Sequence, residues 1–212
     1  MYRRYFKRLF DIVFSLAFLL LFAWLYAILA ILIWIDDPGP VLFKQKRYGI
    51  HQSFFQLYKF RSMKRNSPKD IPTHLFTHSE QYITRIGRLL RKTSLDEIPQ
   101  LVNILIGQMS LIGPRPALWN QEDLIQERER YKANDVKPGL TGWAQINGRD
   151  TLEITEKAKL DGLYAEKLCQ GGFNAFFFDC RCFFGTFLPV LRGEGVQEGR
   201  IESSDEKGND TL

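Results

Sequence analysis

Two adjacent carboxylates, Asp96 and Glu97, lie in the segment TSLDEIPQ, directly after the basic residues of 85–92. One interpretation is purely structural, because Ser94 and Glu97 form the S-x-x-E pattern of a helix capping box. The alternative is a functional pair, since a helix N-terminus with nearby arginines favours ionised carboxylates. The octamer alone favours the cap, because capping boxes are common helix signals. The decision therefore depends on the elements around it.

A long apolar segment near the start of the chain predicts a membrane-inserted helix. Residues 12–35 contain no charged side chain, and at about 1.5 Å per residue such a helix could cross a bilayer core of about 30 Å. Basic residues flank the segment on both sides, and positive charge favours the cytoplasmic face. Two topologies follow: a helix that enters, bends and leaves by the same face, or a simple span with the N-terminus outside. We favour re-entry, although the segment has no proline or glycine to bend it.

Two runs rich in β-forming residues, 41–47 and 54–61, flank a glycine-containing loop and predict a β-hairpin. Basic and aromatic side chains are interleaved along both runs. In a soluble protein this surface would suit single-stranded nucleic acid, whereas beside a membrane helix it suits phosphate at the lipid surface. A solvated hairpin with an ordinary basic face is the structural alternative.

The remaining segments predict helices and two arginine-bearing turns. Residues 81–92 alternate apolar and basic side chains at helical spacing, which suits a helix in the membrane interface or a surface helix on a core. The segment GPRP predicts a rigid turn that projects Arg115, whose planar guanidinium suits bidentate phosphate contact. Arg149 ends a glycine-rich stretch that could be merely a tight connection. The phenylalanine-rich residues 173–191 must be hidden by interfacial or core packing.

The charge distribution divides the chain into a basic body and an acidic tail. The net charge is +5, but acidic residues outnumber basic ones in 193–212, so the body is more basic still. Such a body suits nucleic acid, an anionic membrane surface or phosphorylated substrates. Composition excludes a disordered or low-complexity protein. The cysteines lack the spacing of a zinc site or a disulfide framework, which predicts reduced thiols.

Five sequence blocks in a fixed order carry a family resemblance. After the apolar segment the chain contains YKFRSM, SLDEIPQL, GQMSLIGPRP, KPGLTGWAQINGR and LDGLY. In this order they resemble the small monotopic polyprenol-phosphate phosphoglycosyl transferases, the bacterial sugar transferase family, from Tyr5 to Arg200. There is one plain departure, because small members of the family break their membrane helix at a Ser-Pro pair and this chain has Ala23-Trp24 at that position.

The resemblance implies transfer of a sugar 1-phosphate. UDP-sugar and polyprenol (undecaprenyl) phosphate would react at the cytoplasmic face of the bacterial inner membrane, giving polyprenyl-diphosphate-sugar and UMP and initiating glycoconjugate assembly. Asp96 would be the nucleophile that forms a covalent phosphosugar intermediate and a ligand of Mg²⁺, with Glu97 as its catalytic partner. Matching positions imply phosphate-binding roles for Lys59, Arg91, Arg115 and Arg149.

These predictions combine into an α+β, mainly helical fold. We expect a membrane-inserted helix in residues 1–37 and an acidic, flexible tail in 193–212. Between them, 38–192 would form a catalytic domain at the cytoplasmic face, with a small β-hairpin and interfacial amphipathic helices. The substrates and membrane lipids are the expected partners, nucleic acid is not, and a homodimer stays open.

Two other functions stay open on the sequence alone. A membrane-tethered basic module could hold RNA or anionic lipid through the hairpin and would need neither Asp96 nor Glu97. An inactive homologue could scaffold a glycan-assembly complex, although the intact acidic pair, Arg115 and Arg149 argue against it. The sugar and the downstream pathway are not readable, and LRGEGVQEGRIES gives only a faint resemblance to members that use di-N-acetylbacillosamine.

Overall fold

The chain begins with two helices that meet at a sharp bend. The computed structural model describes residues 1–67, 79–148 and 152–192, so the predicted tail 193–212 lies outside the described residues. A π-helical turn, Tyr2–Phe6, leads into α1 (Lys7–Leu21), and α2 (Ala23–Asp36) follows at an angle of 64°. Within the described residues no single helix is long and apolar enough to cross a membrane, but this bent pair together is.

The bend lies at Phe22, next to the Ala23-Trp24 pair, and it forms without proline. Phe22 leaves helical geometry, with φ of −104° and ψ of 16°. Tyr26 is half-buried against Phe60, whereas Trp24 and Trp34 are 61% and 56% exposed. The two tryptophans therefore make no large contribution to the bend through packing inside the chain, and its cause lies in the anchoring of each helix.

α1 is anchored on the C-terminal end of the short helix α4 (Gln100–Leu105) and on strand β3 (Ser110–Ile112). Arg8 donates from Nη2 to the Leu105 carbonyl at 2.7 Å. Asp11, which is buried, accepts a hydrogen bond of 2.9 Å from the Leu111 backbone N–H.

α2 is anchored on a different surface. Its buried residues Leu29 and Ile33 pack with Phe60 and Leu90, and Asp36 at its end accepts from the Ile86 N–H at 2.8 Å. Because the two helices are attached to separate elements, tertiary contacts impose the angle that proline would otherwise produce.

The predicted hairpin is confirmed. Strands β1 (Leu42–Tyr48) and β2 (Phe54–Phe60) pair antiparallel, with Leu42 opposite Phe60 and Tyr48 opposite Phe54. Phe55 and Leu57 of β2 are buried in the core. The alternation therefore assigns one face of the hairpin to the protein interior.

Short elements follow the hairpin, and longer helices close the chain. The α-helices and strands after it are α3 (Arg85–Lys92), α4, β3, α5 (Glu122–Arg130), β4 (Gly139–Thr141), α6 (Trp143–Ile146), α7 (Ile154–Gln170) and α8 (Gly172–Arg192). Short 3₁₀ turns occur among them, including Leu95–Glu97 between α3 and α4. β3 and β4 pair in parallel, which the sequence did not predict. The α+β, mainly helical class with a small antiparallel sheet is confirmed.

The amphipathic helices hide only part of their apolar surface within the chain. In α3, Leu90 is fully buried and Leu89 is 54% exposed. In α8, Phe178 packs on Trp143 at 4.7 Å between ring centroids, while Phe173 and Phe184 are mostly exposed. Core packing thus accounts for one side of α8 and leaves an apolar side uncovered.

Candidate active site

Asp96 and Glu97 lie in the 3₁₀ turn just before α4, and the capping-box interpretation is wrong. Ser94 has left-handed backbone geometry (φ 57°) and its side chain makes no cap hydrogen bond. Its carbonyl accepts from the Glu97 N–H at 3.2 Å, so backbone atoms close the turn. The Glu97 side chain is therefore available for other contacts.

Glu97 binds two of the predicted phosphate-binding cations. Lys59 Nζ lies 2.8 Å from Glu97 Oε1, and Arg115 Nη2 lies 2.6 Å from the same oxygen. Arg115 Nη1 adds a longer bond of 3.4 Å to Oε2, so the guanidinium meets the carboxylate with both terminal nitrogens. Lys59 comes from β2 and Arg115 from the turn after β3. Glu97 thus joins two elements that are distant in sequence.

Asp96 is buried, with 8% of its surface exposed, but its carboxylate is not tied in the same way. Across residues 1–67, 79–148 and 152–192, no hydrogen bond or ion pair holds its oxygens. Burial raises the pKa of Asp96, and Lys59 opposes this by lowering it. The net direction is opposite to the one we expected from the sequence, because desolvation outweighs the nearby cations.

Glu97 shows the reverse balance. Burial would raise its pKa, but Arg115 and Lys59, by charge and by hydrogen bonding, hold the pKa well below its usual range. Two adjacent carboxylates therefore have pKa values pushed apart by their environments. Such divergence is typical of acidic pairs whose members have different roles.

The other two predicted basic residues have different outcomes. Arg91, in the last turn of α3, donates from Nε to Ser62 Oγ at 3.2 Å, and its charge lowers the pKa of Asp96. It therefore lies near enough to the acidic pair to act on Asp96 through its charge. Arg149 lies outside the described residues, and its role stays a prediction.

Three close-packed glycines explain why the GPRP and KPGLTG motifs occur together. Gly113 donates to the Thr141 carbonyl at 2.8 Å, and Gly139 donates to the Pro114 carbonyl at 2.8 Å. A Cβ on Gly113 would collide with the Lys137 carbonyl, and one on Gly142 would collide with the Gly113 carbonyl. Glycine is therefore required where the two backbones touch, and this contact fixes the start of the Arg115 turn.

Arg47 is a site residue that sequence reasoning missed. It donates from Nη1 to the Pro116 carbonyl at 2.9 Å, just after Arg115. Burial and the charge of Arg115 lower the pKa of Arg47 to about 9, while Glu97 opposes them. The signal was present in the hairpin register, because the Phe43–Lys59 and Arg47–Phe55 pairs place Arg47 and Lys59 on one face.

Binding of Mg²⁺ stays a prediction, and the residues present can be compared with the donors that it needs. The described part of the chain contains no cluster of three metal-ligating side chains. Mg²⁺ in phosphate-transfer sites is commonly held by one or two carboxylates together with substrate phosphate oxygens. Asp96, with its carboxylate not held by an ion pair, fits that donor set better than Glu97 does.

Comparisons with known proteins agree with the motifs. The sequence model of the family described as bacterial sugar transferase matches residues 2–193. The chain is 43% identical over 159 residues to the uncharacterized sugar transferase EpsL of Bacillus subtilis (strain 168), covering 75% of this chain and 74% of the relative. It is 39% identical over 176 residues to the exopolysaccharide production protein PSS of Rhizobium leguminosarum bv. phaseoli, covering 79% and 86%.

A third relative has a more specific name. The UDP-glucose:undecaprenyl-phosphate glucose-1-phosphate transferase of Escherichia coli (strain K12) is 45% identical over 135 residues, covering 61% of this chain. The match spans only 29% of that longer relative. On the extent of the family match and the coverage of the shorter relatives, the chain belongs to the bacterial sugar transferase family, a family of polyprenol-phosphate phosphoglycosyl transferase enzymes.

Proposed function

We propose that this enzyme transfers a sugar 1-phosphate from a UDP-sugar to polyprenol phosphate, giving polyprenyl-diphosphate-sugar and UMP. Relatives are named for transfer of glucose 1-phosphate or of galactose or N-acetylgalactosamine phosphate with undecaprenyl phosphate. The sugar therefore varies among relatives, while the lipid phosphate is common to these names. The faint resemblance to di-N-acetylbacillosamine users adds one more sugar to test.

The observation that carries the proposal is the contrast within the acidic pair. Glu97 is fixed by Lys59 and Arg115, whereas the Asp96 carboxylate is held by no ion pair in the described residues. In the first step an Asp96 oxygen attacks the β-phosphorus of the UDP-sugar, and the bond from that phosphorus to the bridging oxygen breaks and releases UMP. In the second step a phosphate oxygen of the polyprenol phosphate attacks the same phosphorus and releases Asp96.

The surrounding cations would stabilise the charge on the transferred phosphate. Lys59 and Arg115 share the Glu97 carboxylate, which fixes their positions and balances part of their charge. Arg115 offers a planar fork that suits two phosphate oxygens. Preorganised donors of this kind stabilise developing charge without reorganisation during the reaction.

Asp96 would hold Mg²⁺, which would supply positive charge to the leaving group and favour the ionised carboxylate. Glu97 would remain with Lys59 and Arg115, because its oxygens are already engaged.

The attachment of both ends of the bent helix pair supports a re-entrant, membrane-bound enzyme, and the basic flanks favour the cytoplasmic face. Arg8, at the start of α1, contacts α4, and Asp36, at the end of α2, contacts α3. A re-entrant helix pair held in this way would place the site beside the lipid surface, where the phosphate of a polyprenol substrate lies.

The alternative of a basic binding module is not favoured by the hairpin geometry. Lys59 is directed to Glu97, and Arg47 is directed to the Pro116 carbonyl. Arg61 is buried and donates to the Asp37 carbonyl. Three of the hairpin cations are therefore committed to the interior, which weakens a continuous nucleic-acid surface. A scaffold without activity would not require a buried Asp96 beside a Glu97 that is fixed by two cations.

The proposal is tested by intact-mass spectrometry of the full chain in detergent, incubated with Mg²⁺ and each of a panel of UDP-sugars without lipid acceptor. We expect a phosphosugar adduct with at least one sugar. Asp96→Asn should form no adduct and should lower turnover by roughly 10³-fold or more, on the scale of a lost nucleophile. Asp123→Asn, at an exposed aspartate of α5, is the matched control and should behave like wild type.

A wild-type enzyme that turns over without any adduct, with sequential rather than ping-pong kinetics, would contradict the covalent route. Absence of transfer to polyprenol phosphate with every sugar would contradict the proposed reaction as a whole. The two results are separable, because lipid product is measured independently with radiolabelled UDP-sugar.

A further inference from the structure

The turn that carries Arg115 is held at four consecutive carbonyls. The Pro114 and Ala117 carbonyls accept from backbone N–H groups of Gly139 and Tyr48, at 2.8 and 2.9 Å. The other two accept from side chains: Arg47 reaches the Pro116 carbonyl at 2.9 Å, and Arg128 reaches the carbonyl of Arg115 itself at 3.0 Å. Two further arginines thus hold the backbone at Arg115 and directly after it.

Arg128 is buried to an extent that is unusual for a charged residue. It lies in α5 with 3% of its surface exposed, and its partner Asp161 in α7 is 1% exposed. Nε and Nη2 of Arg128 both donate to Asp161 Oδ2, at 2.9 and 2.6 Å. Nη2 also makes the contact to the Arg115 carbonyl. A single nitrogen therefore connects the buried carboxylate to the backbone of the site residue.

A buried ion pair is weak evidence for stability alone, because desolvating both charges offsets much of their attraction. Packing of α5 on α7 could be achieved by apolar side chains of similar volume. What apolar side chains could not do is donate to the Arg115 carbonyl while remaining fixed by a second group. Lysine would keep the charge and one donating nitrogen, but it lacks the second nitrogen, Nε, through which Asp161 fixes the orientation of the Arg128 guanidinium.

We propose that Arg128, held by Asp161, is a positioning residue for the Arg115 phosphate clamp. The inference rests on the proposed function, in which the Arg115 guanidinium contacts the transferred phosphate. Fixing the Arg115 peptide fixes the point from which its side chain extends to Glu97 and to substrate. Arg128 would act through the Arg115 backbone carbonyl, so its role is positioning rather than catalytic.

The test is a double-mutant cycle on kcat/KM for radiolabelled transfer, with the full chain in detergent and polyprenol phosphate as acceptor. Arg128→Lys should lower kcat/KM by roughly 10- to 100-fold, on the scale that a misplacement of about 1 Å costs. In an Arg115→Ala background, the same change should lower it by less than about threefold, because the group being positioned is gone. A merely structural role would give the same factor in both backgrounds and would overturn the inference.

Leu124→Ala is the matched control, because Leu124 is buried on the same helix and belongs to the same hydrophobic cluster as Ala117, which lies in the Arg115 turn. It should lower the thermal midpoint at least as much as Arg128→Lys, and its effect on kcat/KM should be the same with and without Arg115. If Arg128→Lys does not fold, Asp161→Asn replaces it in the cycle. Asparagine keeps an oxygen that can accept from Arg128, but it carries no negative charge. If Asp161→Asn lowers kcat/KM by the same factor with and without Arg115, the inference is overturned as well.

The outcome is distinguishable from failure of the proposed function. Near-normal turnover in Arg115→Ala would contradict the phosphate clamp and the positioning role with it. A strong loss in Arg115→Ala with purely multiplicative effects of Arg128→Lys would leave the clamp intact and refute only the positioning role.

Discussion

At the scale of residues, the same cations bind one of two neighbouring carboxylates and leave the other without an ion pair among the described residues. Lys59 and Arg115 donate to Glu97 and stand near Asp96 without binding it. Because both carboxylates are buried, the one with bonded partners has a lowered pKa and the other has a raised one. A carboxylate that attacks phosphorus must keep the lone pairs of its oxygen accessible. The geometry therefore favours Asp96 as nucleophile and Glu97 as the residue that fixes the cations.

Arg115→Lys should lower kcat/KM by roughly 10-fold or more while the thermal midpoint stays close to that of wild type. Lysine keeps the positive charge but loses the fork that contacts both Glu97 oxygens and, as proposed, two phosphate oxygens. The measurement is radiolabelled transfer at several UDP-sugar concentrations.

Arg130→Lys is the matched control, since Arg130 is 74% exposed and pairs only with nearby Glu127 among the described side chains. Near-normal kcat/KM for Arg115→Lys would contradict the bidentate role. Arg149→Lys is expected to behave like Arg115→Lys on the sequence motif alone, and its result would show whether that motif was interpreted correctly.

The sequence grouped residues that lie close together in the structure, but it did not predict their contacts. Asp96, Glu97, Lys59 and Arg115 were all proposed from motifs, and the structure places them together. The cap assigned to Ser94 failed because a local pattern cannot show that distant cations will compete for the Glu97 side chain. The role of Arg128 was unpredictable for the same reason, since its partners come from α7 and from the turn after β3.

At the scale of elements, the short parallel pair β3–β4 positions the Arg115 turn. Each strand has three residues, too few for any periodicity in sequence, which is why the pair was not predicted. The hairpin was predicted because its strands are longer and keep a regular alternation. Close backbone contact at Gly113 and Gly142 holds the parallel pair in register with the turn.

Gly113→Ala should destabilise the fold by about 1–3 kcal/mol or more and should also lower activity. The added Cβ would collide with the Lys137 carbonyl, which is backbone and cannot move aside without displacing β4. Thermal unfolding of the purified chain and radiolabelled transfer would both show the effect.

Gly185→Ala provides the comparison, because its Cβ would meet the end of the flexible Ile146 side chain at 3.0 Å and alanine favours a helix. We expect it to be neutral or slightly stabilising. Equal thermal midpoints for Gly113→Ala and Gly185→Ala would show that the β3–β4 contact is not the constraint that we infer.

At the scale of the whole molecule, both ends of the bent helix pair are attached to one body. Tyr2 donates to Asp179 at 2.7 Å, and Lys7 forms a buried ion pair of 2.8 Å with the same carboxylate. At the other end, Asp37 lies 3.7 Å from Arg61. A simple span would have to separate these ends by a bilayer core of about 30 Å. That would break the Lys7–Asp179 pair and leave uncompensated buried charge, at a cost of about 3–5 kcal/mol.

We therefore predict that residues 1–6 lie on the cytoplasmic side, as the basic flanks also indicate. The test uses Tyr5→Cys, at a position that is 60% exposed, in a chain whose three native cysteines are replaced by alanine. A membrane-impermeant thiol reagent should label this cysteine only after cells are lysed. Arg130 is exposed at the end of α5, in the predicted catalytic domain, so Arg130→Cys gives the labelling pattern expected for a cytoplasmic position. Labelling of Tyr5→Cys in intact cells, with Arg130→Cys protected, would place the N-terminus outside and require the docked arrangement of Tyr2 and Lys7 on α8 to be absent in the membrane.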